Sequence, residues 1–129
     1  MKKIISLAFV LLLFASSVFA AKLVEPATIT EKFYIKDASV IEKAVTAAAL
    51  KRKWQTKKVS DNQIEAVLSS AKYSLTVSIA YSNEGYSIAY KDSVGLKYDS
   101  KRNLIHSSYI RWIDNLIKDI NANINQMRN

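Results

Sequence analysis

YSIAYKDSVGLKYDSKRNLIHSSYIRWI, residues Tyr86 to Ile113, decides the fold, because within it the hydrophobic period changes from two to that of a helix. Tyr86, Ile88 and Tyr90 share one face of an extended segment, and from Tyr109 onward the apolar spacing is helical. A strand hands its core face to a helix. The same stretch holds four of the seven tyrosines, one of the two tryptophans and the only histidine.

Towards the N-terminus, Tyr73, Leu75, Val77, Ile79 and Tyr81 alternate with Ser74, Thr76, Ser78 and Ala80, the pattern of an antiparallel strand with one covered face. Ile64, Ala66 and Leu68 oppose Glu65, Val67 and Ser69 in the same way, with a turn at Ser70 to Lys72 between the two segments. Ser82 to Gly85 reads as a hairpin loop whose glycine can take a positive φ. Asp92 and Ser93 then interrupt the alternation. Val94, Leu96 and Tyr98 allow one more short extended piece, and Asp99 to Asn103 reads as a loop.

Two helices flank these strands. Ser39 to Glu42 has the form of a capping box, and Ile41, Ala44, Val45 and Ala48 make an apolar stripe that ends near Arg52 or Lys53, with Trp54 just beyond. Ser107 or Ser108 is positioned to cap the second helix. Its apolar face is Tyr109, Ile113, Leu116, Ile117, Ile120, Ile124 and Met127, with residues from Asn121 on expected to fray. Ala27 to Ile35 is rich in β-formers with mixed faces, as suits an edge strand. The expected class is α+β: an antiparallel sheet of three to four strands with two helices on one face, in the order β-α-β-β-β-α.

Met1 to Ala20 runs from charged to apolar to small residues, the order of a secretory signal peptide with cleavage after Ala20. Its apolar run, Ile4 to Phe14, is far shorter than the roughly 20 residues of a spanning helix. Residues 1–20 are therefore read as the signal, 21–26 as a flexible leader and 27–129 as a single domain without a transmembrane span. The expected location is the periplasm or the medium. With no cysteine there is neither a lipid attachment point nor a disulfide.

Removing Lys2 and Lys3 leaves 17 basic residues against 11 acidic, a net of +6. Lys51, Arg52, Lys53, Lys57 and Lys58 surround Trp54, and Lys97, Lys101 and Arg102 precede His106. Such an excess attracts an anionic envelope surface or another envelope protein. In an exported chain it does not point to nucleic acid. A solvated helix end is the plainer explanation of the first cluster.

At YSIAYKDSVGLKYD followed by IHSSYIRWIDNL, the chain resembles a family of short exported bacterial proteins, many of them lipoproteins, without an assigned biochemical function. The residues that carry the resemblance are Tyr86, Ile88, Tyr90, Ser93, Leu96, Tyr98, Ile105, His106, Tyr109 and Trp112, together with the Arg52 to Trp54 end of the first helix. It implies an exported helix-and-sheet domain but no reaction. The family's lipid-carrying cysteine is missing here, so membrane tethering is not implied.

No motif for catalysis, a cofactor or a metal rises above background. His106 could act as a base only with an orienting carboxylate, for which Asp92 and Asp99 are the candidates. An anchoring residue ahead of a helix is the commoner role. The tyrosines Tyr73, Tyr81, Tyr86, Tyr90, Tyr98 and Tyr109 could line a groove, although their alternation first indicates core and rim packing. The expected function is a non-enzymatic binding or cell-envelope accessory protein. Its candidate interaction surface is Trp54, Lys51, Arg52, Lys53, Lys57, Lys58, Tyr86, Tyr90, Tyr98 and His106. Two other readings are a hydrolase using His106, and an inhibitor or assembly partner presenting the Tyr81 to Tyr86 hairpin.

Overall fold

The computed structural model describes residues 22–128, so the expected signal peptide lies outside the described residues. The chain runs β1 (Leu23–Val24), β2 (Ile29–Lys32), α1 (Ser39–Lys51), β3 (Gln55–Ser60), β4 (Gln63–Ser69), β5 (Ser74–Ser82), β6 (Gly85–Val94), β7 (Ile105–His106) and α2 (Ser108–Met127). Strands β2-β6-β5-β4-β3 form one antiparallel sheet, and β1 pairs with β7 in a separate ribbon. The class is α+β, and the strand count exceeds the expected three to four.

β5 is central, and its alternation has the expected consequence. Leu75, Val77 and Ile79 are fully buried and Tyr81 nearly so, while Ser74, Thr76 and Ser78 are only half-covered. Ile64 and Ala66 of β4 and Tyr86 and Ile88 of β6 bring their side chains to the same core. Both helices close that face: Ile41, Ala44, Val45, Ala48 and Ala49 of α1, and Tyr109, Ile113, Leu116, Ile120 and Ile124 of α2. β2 and β3 are the sheet edges, roughly 19 Å apart at the usual strand spacing. The 13 residues of α1 rise about 20 Å. One helix is thus long enough to carry the chain across the sheet.

The strand missed by the sequence pattern is β3. All six of its residues are exposed, so neither face needs an apolar row and no alternation is written into it. It is held by the ladder to β4, with Gln55 opposite Val67 and Lys57 opposite Glu65. Leu23 and Val24, inside the segment expected as a flexible leader, lie opposite His106 and Ile105. The interruption expected at Asp92 is a register shift: Tyr90 lies opposite Val77 and Asp92 opposite Thr76, so Lys91 is extra and β6 continues to Val94.

Both expected serine caps are replaced by a neighbour. At α1 the cap position is Ala38, and the Ser39 amide donates to Asp37 Oδ1 at 2.9 Å. A carboxylate there also meets the positive end of the helix dipole, and Glu42 turns instead to Lys58 at 3.1 Å. At α2 the Ser108 amide donates to His106 Nδ1. The C-terminal turn does not fray at Asn121: helix continues to Met127, with Asn123 Nδ2 donating to the Ala44 carbonyl of α1 at 3.1 Å.

Candidate functional site

The ten candidate surface residues do not form one patch. Trp54, placed in the candidate interaction surface among its basic neighbours, is 3% exposed and belongs to the core. Helix α1 ends in a left-handed turn at Lys53 (φ 67°), and the amides of Lys53 and Trp54 donate back to the carbonyls of Leu50 and Ala49. That turn folds the indole inward. Tyr86 is also buried, its hydroxyl donating to Asn121 Oδ1 at 2.7 Å, while Asn121 Nδ2 donates to Glu31 Oε1 at 2.8 Å. Burial, and next the Glu31 charge, push the Tyr86 phenol well above its ordinary value.

The cations around Trp54 are largely matched. Arg52 Nε lies 2.7 Å from Asp119 Oδ2, Lys51 reaches the same carboxylate at 3.9 Å, and Lys58 pairs with Glu42. The hydrogen bond from Arg52 holds the Asp119 carboxyl below its usual range. Lys53 and Lys57 have no ion pair among the described residues.

Of the remaining candidates, Tyr90 and Tyr98 meet at one corner, where β6 leaves the sheet, and His106 is tied to it through its backbone amide at Leu96. The Tyr90 and Tyr98 rings stack with centroids 4.4 Å apart, and Tyr109 meets Tyr90 edge-on at 6.1 Å. The Tyr90 hydroxyl shares a 2.7 Å hydrogen bond with Ser93 Oγ, and the Tyr98 hydroxyl donates to Asn103 Oδ1 at 3.1 Å. Burial raises the Tyr90 phenol above its ordinary value and pushes Tyr109 up to about 12. The Tyr109 hydroxyl is enclosed without a hydrogen-bond partner among the described residues.

A tight excursion from Gly95 to Ile105 positions these rings. The His106 amide donates to the Leu96 carbonyl at 2.9 Å, and Asp99 and Leu104 exchange backbone bonds at 2.9 and 3.2 Å. Asp99 also closes the tip, accepting from the Lys101 amide and from Arg102 Nε at 2.7 Å. Three residues of this excursion have positive φ: Gly95 at 76°, Lys97 at 57° and Asn103 at 53°. A Cβ at Gly95 would stand 2.3 Å from the Lys72 carbonyl oxygen. Only glycine lets the two segments approach that closely.

Next to the ring stack is a concavity of about 610 Å³ lined by Tyr90, Lys91, Asp92, Ser93, Lys97 and Tyr98 among others; the Asp92 carboxylate accepts from the Ser93 amide. Lys91 is tied to Glu65 at 2.7 Å, whereas Lys97 has no ion pair among the described residues. An aromatic platform beside a free ammonium and a hydroxyl can hold an anionic, ring-containing ligand. A concavity of about 790 Å³ at the opposite end of the sheet offers Asp37 and Asp61 beside Lys36, with Tyr81 its one ring. The Tyr81 hydroxyl there is committed to the Asp61 carbonyl at 3.1 Å. In the Tyr81 to Tyr86 hairpin both tyrosines are buried and only Ser82 to Glu84 is exposed.

Neither Asp92 nor Asp99 hydrogen bonds to His106; Asp92 accepts from the Ser93 amide, and Asp99 is engaged within its own loop. His106 Nδ1 accepts from Ser108, which puts the proton of a neutral ring on Nε2. Among the described residues no cluster of metal-ligating side chains is present, and no helix is long and apolar enough to cross a membrane. Lys97 belongs to the second basic cluster of the sequence, but nothing in a polar loop announces the left-handed backbone that sets Lys97 and Asn103 beside the rings. The aromatic residues and the basic cluster were the legible signals. No protein-family model matches the chain, and no curated protein matches it.

Proposed function

We propose that this chain is a non-enzymatic binding module of the bacterial cell envelope, exported by its first 20 residues, that engages an anionic saccharide surface such as lipopolysaccharide through the Tyr90 and Tyr98 corner. The observation that carries the reading is the ring stack beside the concavity and Lys97. Sugar rings pack on aromatic faces, and phosphate or carboxylate groups pair with a free ammonium. The net charge of +6 after signal removal adds attraction to such a surface at low salt. A binding role fits His106 better than catalysis does, because its Nδ1 is occupied by the α2 amide and no carboxylate among the described residues hydrogen bonds to its ring.

The test is retention of the protein on lipopolysaccharide-bearing vesicles across a salt series. Retention is expected at low salt and should weaken as screening grows. A double variant, Lys97→Ala with Tyr98→Ala, should weaken binding about tenfold, since losing a ring contact and a charge pair removes about 1.4 kcal/mol or more. No retention, or unchanged retention by a folded double variant, overturns the reading.

A further inference from the structure

We infer that the outer edge of β3, Gln55 to Ser60, is a docking edge for an extended acidic segment of another protein. This surface is separate from the tyrosine corner and goes beyond the reading given for it. β3 ends the strand order, and its six residues are all exposed. No backbone N–H or C=O of residues 55–60 has a backbone partner outside the ladder with β4 among the described residues. An exposed row of unpaired amides and carbonyls is a template for one more strand. No proline interrupts it, and it stays in register from Gln55 to Lys58 before the shift around Val59.

Charge decides which strand can add. Around β3 the cations are Lys51, Arg52, Lys53, Lys57 and Lys58; Asp119 takes up Lys51 and Arg52 and Glu42 takes up Lys58, which leaves Lys53 and Lys57 without an ion pair among the described residues. A second copy pairing β3 against β3 would bring the unpaired Lys57 of each chain beside its counterpart. Like charges opposed across strands are destabilising. Lys57, which repels a copy, attracts an incoming strand whose carboxylates, at alternate positions, share its face. Lys57 and Lys53 have no ion pair among the described residues, so they can pair with those carboxylates. Lys57 thus opposes self-association and selects the partner at once.

The test uses a short synthetic peptide that alternates glutamate with valine, and its counterpart with lysine in place of glutamate. Under saturating acidic peptide, outward-facing amides of Gln55 to Ser60 should exchange with solvent about tenfold more slowly. The lysine peptide should leave them unchanged. Lys57→Gln, which removes the charge without setting a like charge opposite Glu65, should weaken the acidic peptide about threefold at nearly unchanged melting temperature. The acidic peptide with alternate backbone amides methylated should lose binding, because the edge bonds are then blocked. Four results overturn the inference: no slowing, equal slowing by both peptides, undiminished binding of the methylated peptide, or slowing in the protein alone that grows with its concentration.

Discussion

The Ser108 amide donates to His106 Nδ1 at 3.1 Å, so an imidazole two residues ahead satisfies a first-turn amide of α2, where Ser107, at the cap position, makes no side-chain cap bond. The His106 amide donates to the Leu96 carbonyl, and β7 pairs this residue with Leu23. His106 thus joins the tyrosine loop, the N-terminal ribbon and the last helix. His106→Ala should cost about 0.5 to 2 kcal/mol, the usual range for a lost helix cap. His106→Asn, whose side-chain oxygen can accept the same bond, should recover most of it. Chemical denaturation of the three proteins checks this, and equal losses for the two variants would contradict the capping role.

Lys53 and Gly95 make opposite predictions from the same backbone region. At Lys53 the left-handed turn after α1 is held by a residue with a Cβ. Lys53→Gly should therefore stabilise the fold by about 0.5 to 1 kcal/mol. At Gly95 the φ of 76° is joined by a Cβ clash with the Lys72 carbonyl, and both obstruct alanine. Gly95→Ala should cost at least about 2 kcal/mol. Melting curves of the pair test the argument through the sign difference.

Where a pattern must hide itself from water on one side, it was legible. Val77 and Ile79 of β5, and Ile113 and Leu116 of α2, follow periods that only burial requires, and each is in the core. β3 carries no such period because both its faces are wet, so it escaped notice although it pairs well. Trp54 was misplaced for a different reason. Basic neighbours describe the chain on either side of it, but a left-handed turn at Lys53 sets where the indole points. The corner itself was half legible: the spacing of Tyr90, Tyr98 and Tyr109 announced aromatic packing, while the fold of the Gly95 to Ile105 excursion depends on three positive φ values, two at non-glycine residues.

Tyr86 and Tyr109 are both buried, yet only one hydroxyl has a protein partner. Tyr86 donates to Asn121, which in turn holds Glu31. Tyr86→Phe should cost about 1 to 2 kcal/mol, since it leaves the Asn121 oxygen without its donor. Tyr109→Phe removes an enclosed hydroxyl that bonds nothing among the described residues and should be neutral or stabilising. Equal losses in the two variants would show that the difference in partnering has no energetic weight.

Asp119 sets an acid limit on the contact between the helices. The Arg52 hydrogen bond lowers its folded pKa below the ordinary value of 3.8. A carboxyl depressed by folding contributes stability above its unfolded pKa and loses it as pH falls through the folded one. Stability from this pair is therefore constant near neutrality and declines below about pH 4. Asp119→Asn should melt below the parent protein near neutrality, and the gap should close as the solution is acidified through that range. Asp37 and Asp99 are also held low by their hydrogen bonds, so both proteins keep a common acid limb and only the difference between them reports on Asp119. A gap that stays constant from neutrality to about pH 2 would mean that the Arg52 contact does not depend on the charge of Asp119.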